Sequence, residues 1–140
     1  MTILQLRRYQ KKDADLDAVA ASGLAGPWTV YTPTVTAGTG AFGSASATGR
    51  YLIVGKLVFV RIDISIVTVG TAGASVKASL PGSATAAFSA IWAGREYQLT
   101  GTMLQGVVNP TTVELWTYNA GFPGGVAGYK LLTSGFYEAV

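Results

Sequence analysis

From Val58 the chain alternates with a period of two: Val58, Val60, Ile62, Ile64 and Ile66 fall on one side, and Phe59, Arg61, Asp63, Ser65 and Val67 on the other. Successive side chains of an extended strand point to opposite faces, so this spacing predicts a strand with one core face. The second face is apolar at its ends and carries Arg61, Asp63 and Ser65 in its middle, which suits a surface or a subunit seam better than a second core. Arg61 and Asp63, two residues apart, emerge together and can pair, with the small energetic worth of an exposed ion pair. Comparable β-branched and aromatic runs, separated by Gly, Pro, Ser and Asn, predict strands over 28–36, 50–54, 57–69, 75–80, 86–92, 96–104, 113–118 and 128–137. About eight such strands predict an all-β fold and fit an antiparallel β-sandwich.

The first 26 residues differ in kind. Ile3, Leu4, Leu6 and Tyr9, then Leu16 and Val19, have helix-like spacing, and Asp13 or Asp15 is placed to cap a short helix running to Ala21. A heptad register through Leu6, Tyr9 and Leu16 puts Asp13 at a core position, so no coiled coil is expected. Residues 1–26 read as a partly helical arm and residues 27–140 as one β domain. The arm is either a solvated tail or a docking peptide that orders on a larger assembly. In the second case Ile3, Leu4 and Leu6 bury while Arg7 and Arg8 orient the contact. Between the first two strand signals, Gly38, Gly40 and Gly43 have the spacing of a dinucleotide fingerprint. That motif works only between a strand and a helix, and with strand signals on both sides a flexible loop or hairpin end is expected.

Composition narrows the chemistry. At 140 residues one domain is the default. The chain has no cysteine and no histidine. Thiolate nucleophiles, disulfides, imidazole general bases and ordinary zinc or haem sites are therefore excluded. The body's acids are Asp63, Glu96, Glu114 and Glu138, and no spacing among them demonstrates a catalytic carboxylate pair, so a non-enzymatic protein without cofactor or metal is expected. The net charge is +3, yet Arg7, Arg8, Lys11, Lys12, Asp13, Asp15 and Asp17 crowd into the arm while the body's charges are scattered singly. No phosphate-tracking stripe results, and no nucleic-acid partner is expected. No uninterrupted apolar run, 57–60 included, approaches the roughly 20 residues of a spanning helix, so no membrane insertion is expected. Arg7 and Arg8 follow the opening apolar residues, the reverse of a secretory signal. With 49% hydrophobic and only 12% charged residues, the surplus hydrophobicity points to oligomerisation.

Trp92, Tyr97, Trp116, Tyr118, Phe122 and Tyr129 concentrate in the last third. Trp92 and Trp116 are expected in the core. The Gly-rich stretch 118–129 offers the rings of Tyr118, Phe122 and Tyr129 beside the amide of Asn119, groups that stack on and hydrogen-bond to sugars, with Phe122 the ring expected to be exposed. The alternative is that this loop packs on a neighbouring subunit.

A wider pattern runs through the body: Trp28-Thr29-x-Tyr31-Thr32-Pro33-Thr34-Val35-Thr36, Gly49-Arg50-Tyr51-x-x-x-Gly55-Lys56-x-Val58-x-Val60, Ser79-Leu80-Pro81 and Gly135-Phe136-Tyr137-Glu138. Over about residues 28–138 it resembles the small β domains in fibres, spikes and tail tips of tailed bacteriophages. The resemblance implies a jelly-roll-like sandwich assembled as a homotrimer. It also implies an N-terminal peptide fixed to other virion proteins, a β domain that binds host-surface polysaccharide, and residence in the virion after assembly in the host cytoplasm. The long shafts and depolymerase carboxylates of larger fibres have no counterpart here, which leaves a short spike, a head decoration or a connector without glycan ligand. A stand-alone lectin is a third reading, but it gives the charged arm no role.

Overall fold

A computed structural model describes residues 2–5 and 27–140. The described body is all-β. Its strands are β1 (Thr29–Tyr31), β2 (Val35–Thr39), β3 (Ser44–Val54), β4 (Leu57–Thr68), β5 (Gly73–Ser79), β6 (Ile91–Glu96), β7 (Met103–Val108), β8 (Thr112–Thr117) and β9 (Lys130–Glu138). They form one antiparallel sheet in the order β1-β3-β4-β9-β6-β7-β8-β5-β2, curled into a half-barrel. The expectation of about eight strands in a jelly-roll-like sandwich is met in its all-β, antiparallel character. Hydrogen bonding, however, runs through a single continuous sheet and nowhere divides it into two facing ones.

β4 lies inside this sheet, and its predicted core face is the core: Val58, Val60, Ile62, Ile64 and Ile66 are buried. They meet Val76 and Ala78 of β5, Leu104 and Val108 of β7, Val113 and Leu115 of β8, and Leu131 and Tyr137 of β9 in one cluster. The β3–β4 hairpin turns on Gly55-Lys56, with Val54 opposite Leu57 and a positive φ at Gly55. A glycine in the first central position is what a two-residue type II′ turn requires.

The sheet's two edges are consecutive in the chain. The expected strand over 28–36 is interrupted at buried Pro33, which lacks an N–H for a ladder. Residues before it pair with β3 and residues after it with β5. Ser79 fastens this crossing: its N–H donates to Thr34 O (3.0 Å), its hydroxyl accepts from the Thr34 N–H (2.9 Å), and its carbonyl accepts from the Tyr31 hydroxyl (3.3 Å). The Tyr31 ring lies over Gly49, where a β-carbon would overlap it.

Two further expectations shift. β3 begins at Ser44, so the Gly-rich loop shrinks to residues 40–43, between strands and with no helix after it. Segment 86–92 is largely loop, with a single bridge from Ala86 to Ala139, and the predicted 96–104 strand is a bend followed by β7. Trp92 is buried as expected. Its indole N–H donates to Phe136 O (2.9 Å), and its ring stacks on Tyr137 at 6.3 Å. Trp116, by contrast, is half-buried.

Of the arm, Thr2 to Gln5 are described. Ile3 to Gln5 make one helical turn, in which the Thr2 N–H donates to Gln5 Oε1 (2.9 Å) and the Gln5 N–H reaches Thr2 Oγ1 (3.4 Å) and Thr2 O (3.0 Å). This reciprocal pattern is a capping box. The expected helices beyond it, with Leu6, Arg7 and Arg8, lie outside the described residues. No helix among the described residues is long and apolar enough to cross a membrane.

Candidate functional site

The β8–β9 connection holds the four residues expected to bind ligand, and the structure splits them into two pairs. Tyr118 (72% exposed) and Asn119 sit on a solvent-facing turn closed by Thr117 N–H to Gly121 O (2.9 Å) and Ala120 N–H to Thr117 O (2.9 Å). The Thr117 hydroxyl donates to Asn119 Oδ1 (2.6 Å) and accepts from the Gly121 N–H (2.7 Å). Asn119 therefore spends its carbonyl on the turn and keeps its amide nitrogen for solvent or a ligand. Ala120 has φ 62°, a left-handed conformation that costs a non-glycine residue about 1 kcal/mol.

Phe122 and Tyr129 go the other way. Phe122 stacks on Phe42 with ring centroids 6.2 Å apart, and both half-buried rings pack against the core. The exposure expected of Phe122 is thus not found. Pro123 and Gly124 behind it are buried, and a β-carbon at Gly124 would press on Phe122 and Val76. The Tyr129 carbonyl accepts from the Ile66 N–H (2.9 Å) and the Gly128 N–H donates to Ile66 O (2.8 Å), stitching the loop's return to β4. Phe122 and Tyr129 anchor the loop, and Tyr118 and Asn119 are what it presents. Of the residues expected to dock on a particle, Ile3 and Leu4 are exposed.

A second feature emerges only once strand register is known. On the sheet's outer face Leu52 of β3 stands opposite Phe59 of β4, Phe59 opposite Phe136 of β9, and Ile91 of β6 opposite Val107 of β7. Ala93 pairs with Ser134, so Ile91 and Phe136, two residues on along each strand, fall level. An apolar row thus crosses five strands. Phe59 and Phe136 touch with centroids 5.8 Å apart. Phe136 remains 57% and Ile91 74% exposed. The apolar ends of the second face of β4 hinted at this row, but its breadth depends on which residues of four other strands come level.

The acids do not assemble a reaction centre. Glu96 is 1% exposed and caps the β6–β7 bend, accepting from the N–H groups of Gln98 (2.8 Å), Leu99 and Thr100 and from the Thr100 hydroxyl (2.9 Å). Burial alone would raise its carboxyl; these hydrogen bonds outweigh burial and hold it at about 2. Asp63 does not pair with Arg61. Its two oxygens lie 2.9 and 3.1 Å from the Tyr97 hydroxyl, whose titration is raised first by burial and then by this bond. Glu114 binds the Ser75 hydroxyl and Lys77, the latter at 3.5 Å. Among the described residues no group of three or more acids gathers to hold a metal ion.

Comparison with known proteins leaves the geometry to speak alone: no family model, curated protein or solved structure matches the chain.

Proposed function

We propose that the chain is a non-enzymatic virion appendage protein of a phage-like particle, a fibre, spike or tail-tip component. In this reading its β domain forms a homotrimer, residues 1–26 dock on other virion proteins, and the 118–129 loop meets host-surface polysaccharide. The observation that carries it is the outer apolar row. Exposed Phe136 and Ile91 with half-buried Leu52, Phe59 and Val107 form an apolar patch that the rest of the described body leaves facing outward, and such patches mark interaction sites. The all-β, antiparallel character of the described body supports the likeness to such appendage domains, and its curled sheet, with edge strands consecutive in the chain, is a compact unit to repeat about a symmetry axis. Tyr118 and Asn119 supply one ring and one amide donor per copy. Such shallow contacts gain strength by repetition, by about 10² to 10⁴ when several sites engage one surface.

Sedimentation of the purified chain with and without residues 1–26 tests assembly: both forms sediment as the same oligomer, and a monomer in both refutes the reading. Binding to isolated host-surface polysaccharide, lost in Tyr118→Ala, tests the ligand. A second reading, a connector or head-decoration protein with no glycan ligand, is favoured by the inward packing of Phe122 and Tyr129, which leaves the loop a single free ring. Particle association without polysaccharide binding selects it.

A further inference from the structure

Arg50 of β3 and Arg61 of β4 stand directly opposite each other in the antiparallel register, and both are exposed. Residues so paired project from the same face of the sheet, with β-carbons about 5 Å apart. Like charges in that relation destabilise a sheet. An acid beside them would relieve the conflict, yet among the described residues the one ion pair is Lys77 with Glu114, on β5 and β8. Asp63, on the same face of β4, is engaged by the Tyr97 hydroxyl instead. Arg50 and Arg61 line a concavity of about 400 Å³ together with Val30, Thr48 and Asp63. Across Thr48 and Asp63 it adjoins a second hollow of about 280 Å³ that reaches Lys130. The combined trough carries three cations and one acid, and each hollow is close to or within the range of small-molecule sites, roughly 300 to 1,000 Å³.

We propose that this trough binds an oxyanion-bearing saccharide, with the sugar's carboxylate or phosphate held between Arg50 and Arg61. Guanidinium groups present fixed forks of N–H donors that match such oxyanions, and two of them facing one hollow leave donors to spare. The rest of the wall suits the sugar. Asp63 accepts one hydrogen bond from the Tyr97 hydroxyl and keeps lone pairs for ligand hydroxyls. Thr48 adds a hydroxyl, and Val30, exposed on β1, offers an apolar surface to a ring's C–H face. A nucleic-acid strand fits less well, since Asp63 interrupts the positive lining that a phosphate backbone would follow. The inference rests on the reading of the chain as a polysaccharide-binding appendage. It adds a charged-sugar contact well away from Tyr118, because β9, β6 and β7 lie between β4 and β8.

Calorimetric or NMR titration of the full chain decides it, with trigalacturonic acid, its neutral methyl ester and glucose 6-phosphate as probes. At least one acidic probe binds, the neutral ester binds at least tenfold more weakly, and Arg50→Gln and Arg61→Gln each weaken the acidic probe at least tenfold. Whether the uronate or the phosphate sugar binds identifies the oxyanion's source. Thermal melts of both variants without ligand establish that they are folded, since removing one of two facing like charges leaves Tm unchanged or higher. Equal binding of the neutral ester, undiminished binding by the folded variants, or tighter binding of a single-stranded oligonucleotide overturns the site. Failure of both acidic probes overturns it as well. If the same preparation still oligomerises and binds host polysaccharide, only the trough is refuted; if it does neither, the appendage reading falls with it.

Discussion

The two faces of β4 obey different rules although they alternate residue by residue. Inward, Val58 to Ile66 are apolar without exception and buried. Outward, the strand is apolar at Phe59, charged at Arg61 and Asp63, and apolar again at Val67. The inner face is complete within one chain, because every inward residue finds apolar neighbours on other strands. The outer face is apolar in one row and turns charged and polar beside it at Arg50, Arg61 and Ser134, so whatever covers that row comes from outside the described body. Burying a large apolar side chain contributes about 1.5–3 kcal/mol. The inner residues deliver that on folding, whereas Phe136 and Ile91 deliver it only on association.

The largest test of this division is Ile62→Ala, which should cost about 2–5 kcal/mol in urea unfolding at any protein concentration. A loss below 1 kcal/mol would show that the inner face does not carry the fold. Next comes Glu96→Ala, which leaves the N–H groups of residues 98–101 without their acceptor and should cost about 3 kcal/mol. The same residue sets an acid response. Its folded carboxyl sits at about 2, below the ordinary 4.5, so its contribution is whole above about pH 4.5 and is lost as pH falls towards 2. Glu96→Gln should flatten stability across that window, and an unchanged acid slope in the variant would refute the assignment. Third, Phe136→Glu combined with Ile91→Glu should weaken self-association more than a hundredfold by analytical ultracentrifugation, roughly 3 kcal/mol, while far-UV circular dichroism stays that of a folded sheet. Retained assembly would move the interface off the outer row. Smallest, Arg61→Gln should stabilise the free chain by about 0.2–1 kcal/mol through relief of its facing Arg50, and a comparable loss would mean that Arg61 has a partner.

Legibility in the sequence follows from how local each cause is. The period-two run of β4, the ends of β8 and β9 and the Gly55 turn are set by neighbouring residues, and they lie within a residue or two of where pattern reading puts them. β3 was obscured because Ser44 to Gly49 are small residues with weak strand preference. They are strand because β4 pairs with them and because Gly49 leaves room beneath Tyr31. The bend after β6 was hidden for the opposite reason: Glu96 to Leu104 read as a strand, but the Glu96 carboxylate draws the backbone N–H groups of residues 98–100 around itself. At the candidate site, the exposure of Tyr118 is consistent with its loop position, while the inward turn of Phe122 depends on Phe42, 80 residues earlier in the chain. The facing pair Arg50 and Arg61 is likewise invisible without register.

The closing crossing at Thr32 to Thr34 also bears on how this strand-rich chain behaves at high concentration. Open sheet edges template the addition of further strands from other molecules, and that is how cross-β aggregates grow. Here one edge, β1, offers three residues, and the other, β2, offers five with its register broken between Ala37 and Thr39. Between them stands a buried proline. Among the described residues the two edge strands are therefore short or irregular, which limits strand addition there and leaves the parts of β3 that run past β1, residues 44–48 and 52–54, as the longer stretches of backbone paired on one side only.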